Sequence, residues 1–462
     1  MKIYIVTIVF MILNISCSSK NVDDETKILP SHTNETQPTS NKKTESCKDE
    51  STCDLECNSK IYESCFNAGI LNIKDKANSI SYYEKACSGG YPGGCVKLGD
   101  IYKNGQEEKS VNLYKKACDL EDGDGCSSLG TMYYKGKGVP KDKNNSHQLH
   151  EKACNLGSMK GCKNLGDDYL DGEGIEKNEK KAFEFYKKAC DKNYLDACTN
   201  IGYMHASGRG IGQDYVRAMS FYKDSCDKDE STACNNLGWL YKEGQGVEKD
   251  LARSLSFFEK SCNLKNPSGC ISLGYSYLNG EGVKKDTSKA VDNFQRACDI
   301  AEDDNMAGCV SLGDLYENGN GITKDIEQAR NLYKKACDSG YADGCTSLCL
   351  LTVYSKTKKS ETQSDEFKNA ANLCMKGCEG GEPRGCAMSG VMHLNGEGVR
   401  KDVTKASEYF QKACDLDLSY GCSEIGKLYQ KGIGVSKDIN KSIELYKKAC
   451  NLGDEKACKK TK

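Results

Sequence analysis

The sequence has little of what a large globular core requires. It contains one tryptophan and six prolines in 462 residues, and only 37% of its residues are hydrophobic. Its 65 basic and 67 acidic residues almost cancel, with no basic block among them. The composition therefore argues against a single large core and favours a thin core along an elongated molecule. The charge balance argues against nucleic acid as a partner.

Catalytic motifs are also scarce. The five histidines form neither an H-x-H nor an H-E-x-x-H motif, which a zinc hydrolase requires. The Ser-x-x-Lys spacing occurs at Ser40 and Lys43 and again at Ser355 and Lys358, but the Ser-Asp-Asn and Lys-Thr-Gly elements of serine β-lactamases are missing. The residues therefore indicate no catalytic group, no metal ligand and no cofactor.

The only long apolar run lies at the N-terminus. It extends from Ile3 to Ile15, too short for a stable transmembrane helix and typical of an export signal. It ends in Leu13-Asn14-Ile15-Ser16-Cys17, which resembles a bacterial lipobox although Asn14 departs from that motif. We predict that residues 1–17 are a signal peptide and that Cys17 is acylated; a secretory signal cleaved nearby is the alternative.

The predicted location follows from the residues after Cys17. Residue 18 is serine rather than aspartate, which by lipoprotein sorting rules favours the outer membrane. An ordinary signal would instead give a periplasmic or secreted protein. Residues 18–46 are almost wholly polar and predict a flexible tether. Any membrane contact would then be made through the lipid anchor alone.

What the sequence has in abundance is cysteine and internal repetition. It contains 29 cysteines, which indicates an oxidising compartment or zinc ligands. From Cys118 to Cys298 a cysteine recurs every 36 residues, and the period resumes between Cys414 and Cys450. A fixed period of this length predicts a stack of similar units over residues 47–462.

Each unit has the pattern of two helices. The first passes through Leu165 and Gly166, and a glycine turn such as Gly172–Ile175 ends it. An aspartate such as Asp250, Asp286 or Asp402 then stands at the N-cap position of the second helix. Small residues such as Gly166 allow the helices to approach closely. The fold class predicted is an all-α solenoid of about eleven α/α hairpins.

The recurring pattern LG-x-x-Y, G-x-G-V/I and A-x-x-x-Y-x-x-A-C resembles the Sel1-like repeat, a relative of the tetratricopeptide repeat. The cysteine-bearing form is similar to the Helicobacter cysteine-rich proteins. The resemblance covers roughly residues 57–462, but hairpin folds of this kind serve many tasks. It implies that a peptide or protein partner, from the cell envelope or from a host, binds on the concave face, which the first helices line in tetratricopeptide-like stacks. It also implies the alternative of a β-lactam- or peptidoglycan-fragment-binding protein with weak β-lactamase activity, so whether the chain is an enzyme stays open.

Twelve cysteine pairs follow one rule, in which one member ends a helix and the other begins the next. All are C-x7-C except one, which has three extra residues. A tight turn would bring the two side chains together, so we predict disulfides; zinc is the alternative, although these spacings are wider than those of structural zinc sites. The predicted pairs are Cys57 with Cys65, Cys87 with Cys95, Cys118 with Cys126, Cys154 with Cys162, Cys190 with Cys198, Cys226 with Cys234, Cys262 with Cys270, Cys298 with Cys309, Cys337 with Cys345, Cys378 with Cys386, Cys414 with Cys422, and Cys450 with Cys458.

Two further pairs lie outside that rule. Cys349 occupies the glycine position of its hairpin and Cys374 the packing-tyrosine position, so we predict a disulfide within that hairpin. By elimination Cys47 pairs with Cys53.

Four histidines fall within the repeats. His205 and His393 occupy a position that is tyrosine in other repeats, and His150 occupies the position of Tyr186. They are interpreted as packing rings, whereas His147 has no partner visible in the sequence.

The candidate binding residues lie on three successive first helices. Polar residues stand two positions after the second cysteine and aromatic rings five positions after it, so the two should form parallel rows. Either the rows bind an extended peptide, or they only pack neighbouring repeats. Asp167 and Asp314 flank them, which favours a ligand with basic ends. The six residues are Asn200, Tyr203, Asn236, Trp239, Ser272 and Tyr275.

Overall fold

The computed structural model describes residue 47 and residues 49–72, 74–301, 305–355 and 365–461. The predicted signal peptide, Cys17 and the predicted tether lie outside these residues. The described residues form 24 α-helices and no β-strand. This confirms the predicted fold class, a repeating all-α solenoid.

The helices form eleven hairpins, each made of an even-numbered helix and the odd-numbered helix that follows it. Helix α1 precedes the first hairpin and the short α24 follows the last one. The helices are α1 (Glu50–Asn58), α2 (Tyr62–Leu71), α3 (Lys76–Ser88), α4 (Pro92–Tyr102), α5 (Glu107–Asp119), α6 (Gly123–Lys135), α7 (Lys143–Asn155), α8 (Met159–Asp171), α9 (Glu179–Cys190), α10 (Leu195–Ser207), α11 (Tyr215–Asp227), α12 (Ser231–Glu243), α13 (Leu251–Asn263), α14 (Pro267–Asn279), α15 (Thr287–Ile300), α16 (Ala307–Asn318), α17 (Ile326–Asp338), α18 (Ala342–Ser355), α19 (Asp365–Glu379), α20 (Pro383–Asn395), α21 (Val403–Asp415), α22 (Ser419–Lys431), α23 (Ile439–Asn451) and α24 (Glu455–Cys458).

The chain divides into two compact units, unit 1 ending at Ser225 and unit 2 beginning at Cys226. In unit 1 the first helices α4, α6 and α8 contact one another in sequence, in addition to their hairpin partners. In unit 2 the same holds for the even-numbered helices from α12 to α22. Within each unit, these first helices therefore form a row of adjacent helices. Among the described helices, none combines the length and the apolar character needed to cross a membrane.

The turns between the helices follow the predicted pattern. Gly172 ends α8 with a φ of 76°, and Gly174 has a φ of 72°, a backbone region that glycine adopts without strain. A Cβ atom on Gly174 would collide with the Lys143 carbonyl oxygen of the preceding hairpin, which explains the second glycine. The predicted N-caps are confirmed: the side chains of Asp250 and Asp286 accept hydrogen bonds from backbone N–H groups of the helices they precede.

The core of every hairpin except α18–α19 contains an aromatic ring packed on a glycine. Tyr186 of α9 is fully buried, and a Cβ atom on Gly166 would lie 2.5 Å from its ring. The Tyr186 hydroxyl donates a hydrogen bond to Asp167 Oδ1 at 2.7 Å, which fixes the ring. The same contact recurs between Phe258 and Gly238.

Fourteen disulfides join the described cysteines in the pairs that the sequence predicts. Twelve regular bonds connect the end of an odd-numbered helix to the start of the next even-numbered helix, with Cα atoms 4.4 to 4.8 Å apart. The regular bonds join Cys57 with Cys65, Cys87 with Cys95, Cys118 with Cys126, Cys154 with Cys162, Cys190 with Cys198, Cys226 with Cys234, Cys262 with Cys270, Cys298 with Cys309, Cys337 with Cys345, Cys378 with Cys386, Cys414 with Cys422, and Cys450 with Cys458.

The two irregular pairs are bonded as well. Cys349 and Cys374 join α18 to α19 at a Cα separation of 5.5 Å, and Cys47 bonds Cys53. The described cysteines are therefore engaged in disulfides rather than in the alternative zinc sites. So many disulfides indicate an oxidising, exported environment.

A lysine two residues before the first cysteine of many pairs connects neighbouring hairpins. Lys260 Nζ donates to the Cys226 carbonyl oxygen at 2.6 Å, and Lys448 Nζ to that of Cys414 at 2.8 Å. A positive charge at a helix C-terminus satisfies a free carbonyl and the helix dipole. The recurring Lys-Ala/Ser-Cys sequence therefore has a structural role between hairpins.

Candidate binding face

The six predicted binding residues lie on three successive first helices. Asn200 and Tyr203 are on α10 of unit 1. The other four are on unit 2, with Asn236 and Trp239 on α12, and Ser272 and Tyr275 on α14.

The three rings differ in exposure. Tyr203 is 38% exposed, whereas Trp239 and Tyr275 are half-buried. Trp239 packs edge-on against Phe258 at a centroid distance of 5.7 Å, and Tyr275 packs on Phe294 at 4.9 Å. Trp239 and Tyr275 therefore each pack on the buried ring of their own hairpin, as the packing interpretation expects. Because both are only half-buried, part of each ring is also left for a ligand, as the binding interpretation expects.

The polar residues connect neighbouring hairpins. Ser272 is buried, and its hydroxyl donates to Asn235 Oδ1 of the preceding first helix at 3.1 Å. Asn200 Nδ2 donates to Asp167 Oδ1 at 3.2 Å. These contacts support the alternative that Ser272 and Asn200 pack neighbouring repeats. The hydroxyl and amide groups that a peptide backbone would need already form hydrogen bonds within the stack. Asn236 is half-buried.

The aromatic row takes part in the same connections. Tyr275 Oη and Ser311 Oγ, 36 residues apart, lie 3.0 Å from each other. Tyr275 belongs to the aromatic row, and Ser311 stands at the polar-row position of the next hairpin. The predicted rows are adjacent at this place, and they are joined by hydrogen bonds between hairpins.

A group of carboxylates, here called the acidic cluster, continues this face in unit 2. Arg384, at the start of α20, forms ion pairs with Asp343 and with Glu382, the latter at 2.9 Å. Burial raises the pKa of Glu382, and the negative charge of Asp343 adds to this effect. The cluster consists of Asp314, Glu317, Asp343 and Glu382 around Arg384. Its four carboxyl groups exceed the single guanidinium, so the cluster is negative when they are ionised.

Asp314 occupies the position of Tyr275 in the following hairpin. Burial raises the pKa of Asp314 to about 6, and the Tyr333 hydroxyl, which donates to Asp314 Oδ1 at 2.6 Å, opposes that rise. Sequence reasoning identified Asp314 but missed Glu317, Asp343, Glu382 and Arg384. A signal that it overlooked was the pair of opposite charges, Glu382 and Arg384, on either side of Pro383 at a helix start.

Replacing Asp314 by asparagine is expected to change the pH dependence of stability. The folded carboxyl binds its proton at a higher pH than an unfolded aspartate, with a pKa of about 3.9, so folding takes up a proton between these values and wild-type stability falls as the pH rises through them. At pH 7.5 the Asp314→Asn protein should therefore be more stable by about 2–3 kcal/mol, and at pH 4.5, which is still above the unfolded pKa, the difference should fall to about 1 kcal/mol. Urea unfolding at both pH values tests this, with Glu259→Gln, an exposed carboxyl on α13, as control. An equal effect of Asp314→Asn at both pH values would contradict it.

The histidines have a mixed outcome. His205 is buried and stacks on Phe221 at 5.8 Å, as expected for a packing ring, and His393 packs on Tyr409 at 5.1 Å. His147, which has no visible partner in the sequence, lies 3.3 Å from Asp168 through its Nδ1 atom. The partner was missed because Asp168 is on the next hairpin, 21 positions away.

Neither metal nor serine chemistry gains support in the described part of the chain. Its histidine, cysteine, aspartate and glutamate side chains include no group of three or more that could hold a metal ion. The Ser-x-x-Lys matches at Ser40 with Lys43 and at Ser355 with Lys358 involve side chains outside the described residues. The same spacing also occurs at Ser220 with Lys223 and at Ser225 with Lys228.

Comparisons with known proteins agree on the repeat. The Sel1 repeat model matches residues 65–91, 92–122, 123–158, 160–194, 195–230, 231–266, 267–300, 307–341, 383–418 and 419–454. The unmatched stretch between residues 341 and 383 contains the α18–α19 hairpin, in which Cys349 and Cys374 replace the glycine and the ring. No curated protein sequence matches the chain.

Several solved structures are similar to this chain. The protective antigen c5321 of uropathogenic Escherichia coli, which has an SLR fold, is 25% identical over 90% of both chains, with a TM-score of 0.48. A Sel1 repeat protein of Oxalobacter formigenes is 26% identical over 53% of this chain and 99% of its own, with a TM-score of 0.44. The Helicobacter pylori cysteine-rich protein B is 34% identical over 29% of this chain and 94% of its own, with a TM-score of 0.24. Because the repeat model matches most of its length, the chain belongs to the Sel1 repeat family.

Proposed function

We propose that this protein is an exported scaffold that binds a peptide segment of a protein partner, and that the segment carries basic side chains. Sel1 repeat proteins are generally protein-interaction modules. The observation that carries the proposal is the excess of carboxyl groups beside half-buried rings on the first helices of unit 2. Basic side chains would pair with the acidic cluster, and the rest of the segment would contact the rings.

The apolar part of the proposed site is Trp239 and Tyr275. Each ring packs one edge against a buried phenylalanine and is held in place by it. A fixed ring loses little side-chain entropy on binding, which favours aromatic anchors. Asn236 lies one helical turn before Trp239 on α12 and is half-buried. We assign its side-chain amide to hydrogen bonds with the peptide backbone.

The acidic part of the proposed site is centred on Asp314. Because its pKa is about 6, Asp314 is mostly ionised at pH 7.5 and mostly protonated at pH 5. Binding of a basic peptide should therefore weaken as the pH falls through this range. Tyr203, which lies on α10 of unit 1 and is exposed, stays a predicted binding residue of that unit alone.

Export and lipid anchoring through Cys17 are part of the proposal. The 14 disulfides use 28 of the 29 cysteines, which leaves Cys17 as the remaining one. A diacylated Cys17 would place the repeats at the outer membrane. Mass analysis of the mature N-terminus tests this, since an unmodified N-terminus elsewhere is incompatible with it.

The peptide site can be tested without knowing the partner. Random dodecapeptides displayed on phage are selected on the oxidised protein at pH 7.5, and enriched peptides are titrated while the fluorescence of Trp239, the only tryptophan, is recorded. We expect enriched peptides rich in lysine and arginine, and binding at least tenfold weaker to Asp314→Asn or at pH 5. Glu259→Gln, on the second helix α13, should bind normally.

Two results would count against the proposal. Enriched peptides without basic residues would reject the acidic cluster as the specificity determinant, and peptides that leave Trp239 fluorescence unchanged would reject the ring contacts. The same preparation should be assayed with nitrocefin, because turnover above that of a matched control would instead favour the β-lactam alternative.

A further inference from the structure

Three core positions at the junction between α7 and α8 in unit 1 are polar, although the corresponding positions at other junctions are mostly apolar. His150 on α7 stands where other second helices have Tyr186 or Phe258, and it fills the ring position against Gly130. His147, one turn earlier, corresponds to Phe183 and Leu255. On the next first helix, α8, Asp168 corresponds to Met204, Leu240 and Leu315. The three replacements lie in contact, so they form one buried polar group.

Both imidazoles contact the same carboxylate oxygen. His150 Nδ1 lies 2.9 Å and His147 Nδ1 3.3 Å from Asp168 Oδ2. The side chains of His150 and Asp168 are each 5% exposed and that of His147 is 9% exposed. His150 Nε2 is buried without a hydrogen-bond partner among the described residues. With neutral rings, each Nδ1–H donates to Asp168, and the bare Nε2 atom of His150 needs no acceptor.

The charged and titratable neighbours of this group are already paired or are uncharged near neutral pH. Tyr169 of α8 packs edge-on to His147 at 5.5 Å, and Lys181 of α9 lies over that tyrosine ring. Asp171 is paired with Arg209 at 3.3 Å. The groups that face the cluster are Tyr134 on α6, Lys143 on α7, Tyr169 and Asp171 on α8, Glu173 after α8, which pairs with Lys143, and Lys181 on α9.

We infer that His147, His150 and Asp168 form a pH-sensitive contact that holds α7 against α8 at neutral pH and releases it in mild acid. A first proton gives one imidazolium beside one carboxylate, which is electrically balanced. A second proton places two positive charges on one carboxylate oxygen in a buried site. It also gives His150 an Nε2–H that has no acceptor there, and an unpaired buried donor is costly.

The sign of the effect follows from the proton count. When the contact between α7 and α8 opens, water solvates both protonated rings and the His150 Nε2–H gains an acceptor. In the closed contact the second positive charge and that N–H stay uncompensated, so the doubly protonated cluster favours the open form. The stability of the closed contact therefore falls once both rings are protonated. The junction between α9 and α10 has Phe183, Tyr186 and Met204 at these positions and should lack this response.

Amide hydrogen exchange of the full-length oxidised protein, read peptide by peptide, tests the inference. After correction for intrinsic exchange rates, we expect the opening of α7 and α8 to increase at least tenfold between pH 6.5 and 4.5, where the second proton is added. The α9–α10 junction, which has Phe183, Tyr186 and Met204 at the corresponding positions, is the internal control and should change much less.

Variants that copy the residues of the other repeats separate the cluster from general acid effects. The triple variant His147→Phe, His150→Tyr, Asp168→Met should abolish the additional opening of α7–α8. His150→Tyr alone, which retains one imidazole for the carboxylate, should abolish most of it and serves if the triple variant does not fold. An unchanged pH response in His150→Tyr, or equal opening of α7–α8 and α9–α10 in the wild type, would overturn the inference.

Discussion

Protein reduced in guanidinium chloride and diluted into buffer containing dithiothreitol is expected to regain less than about half of the helical signal of the oxidised protein. Each regular disulfide closes a short loop and stabilises its junction by roughly 2–3 kcal/mol. The cysteines are also part of the core: Cys154 and Cys162 pack with Leu165 and Tyr186 in one cluster. A repeat of 36 residues has little other apolar surface to bury. Loss of the bonds should therefore affect every junction.

The measurement is circular dichroism at 222 nm during a thermal scan. The control is the same protein unfolded and diluted without reductant, which should recover its helices and melt at its original temperature. Reduction has to take place in denaturant because the cysteines are nearly all buried; Cys126, Cys162 and Cys234, for example, are 0% exposed. A reduced protein that melts cooperatively within a few degrees of the oxidised protein would show that the rings and glycines suffice.

Features that repeat along the chain could be predicted from the sequence. The 36-residue period predicted the hairpins. The positions of Cys349 and Cys374 within their repeat predicted a disulfide that does not follow the C-x7-C spacing. This was possible because the other hairpins repeat the ring-on-glycine contact seen between Gly166 and Tyr186. Two residues that replace both members of one contact must themselves be close.

Contacts between hairpins could not be predicted in the same way. Whether Asn200 points to solvent or to Asp167 depends on how far each hairpin is rotated relative to the one before, and the period does not encode that angle. The pair His150 and Asp168 was missed for a related reason. Each residue alone is an ordinary replacement, and only the packing of α7 on α8 shows that they meet.

The close helix approach at Gly166 leads to the second large expected effect. In a helix, alanine is favoured over glycine by about 1 kcal/mol, so Gly166→Ala would stabilise an open site. Here the new methyl carbon would lie 2.5 Å from a ring that is fully buried and hydrogen-bonded to Asp167. We expect a net loss of about 2 kcal/mol or more, because overpacking outweighs helix propensity. Gly212→Ala is the matched control, since nothing lies within 4 Å of its added carbon. A Gly166→Ala protein as stable as Gly212→Ala would refute the requirement for close approach.

The α18–α19 hairpin shows which change should rescue that defect. Cys349 fills the glycine position there and Cys374 gives up the ring, with their Cα atoms 5.5 Å apart. Gly166→Cys alone should clash with Tyr186, and Tyr186→Cys alone should leave a cavity, which costs about 3–5 kcal/mol for a lost aromatic ring. In the oxidised double variant the two cysteines remove the clash and form a bond, so its stability should exceed that of either single variant. Urea unfolding of the four proteins, with a free-thiol count for the double variant, measures the coupling. If the losses simply add and two thiols remain free, the ring and the glycine position are not equivalent to Cys374 and Cys349.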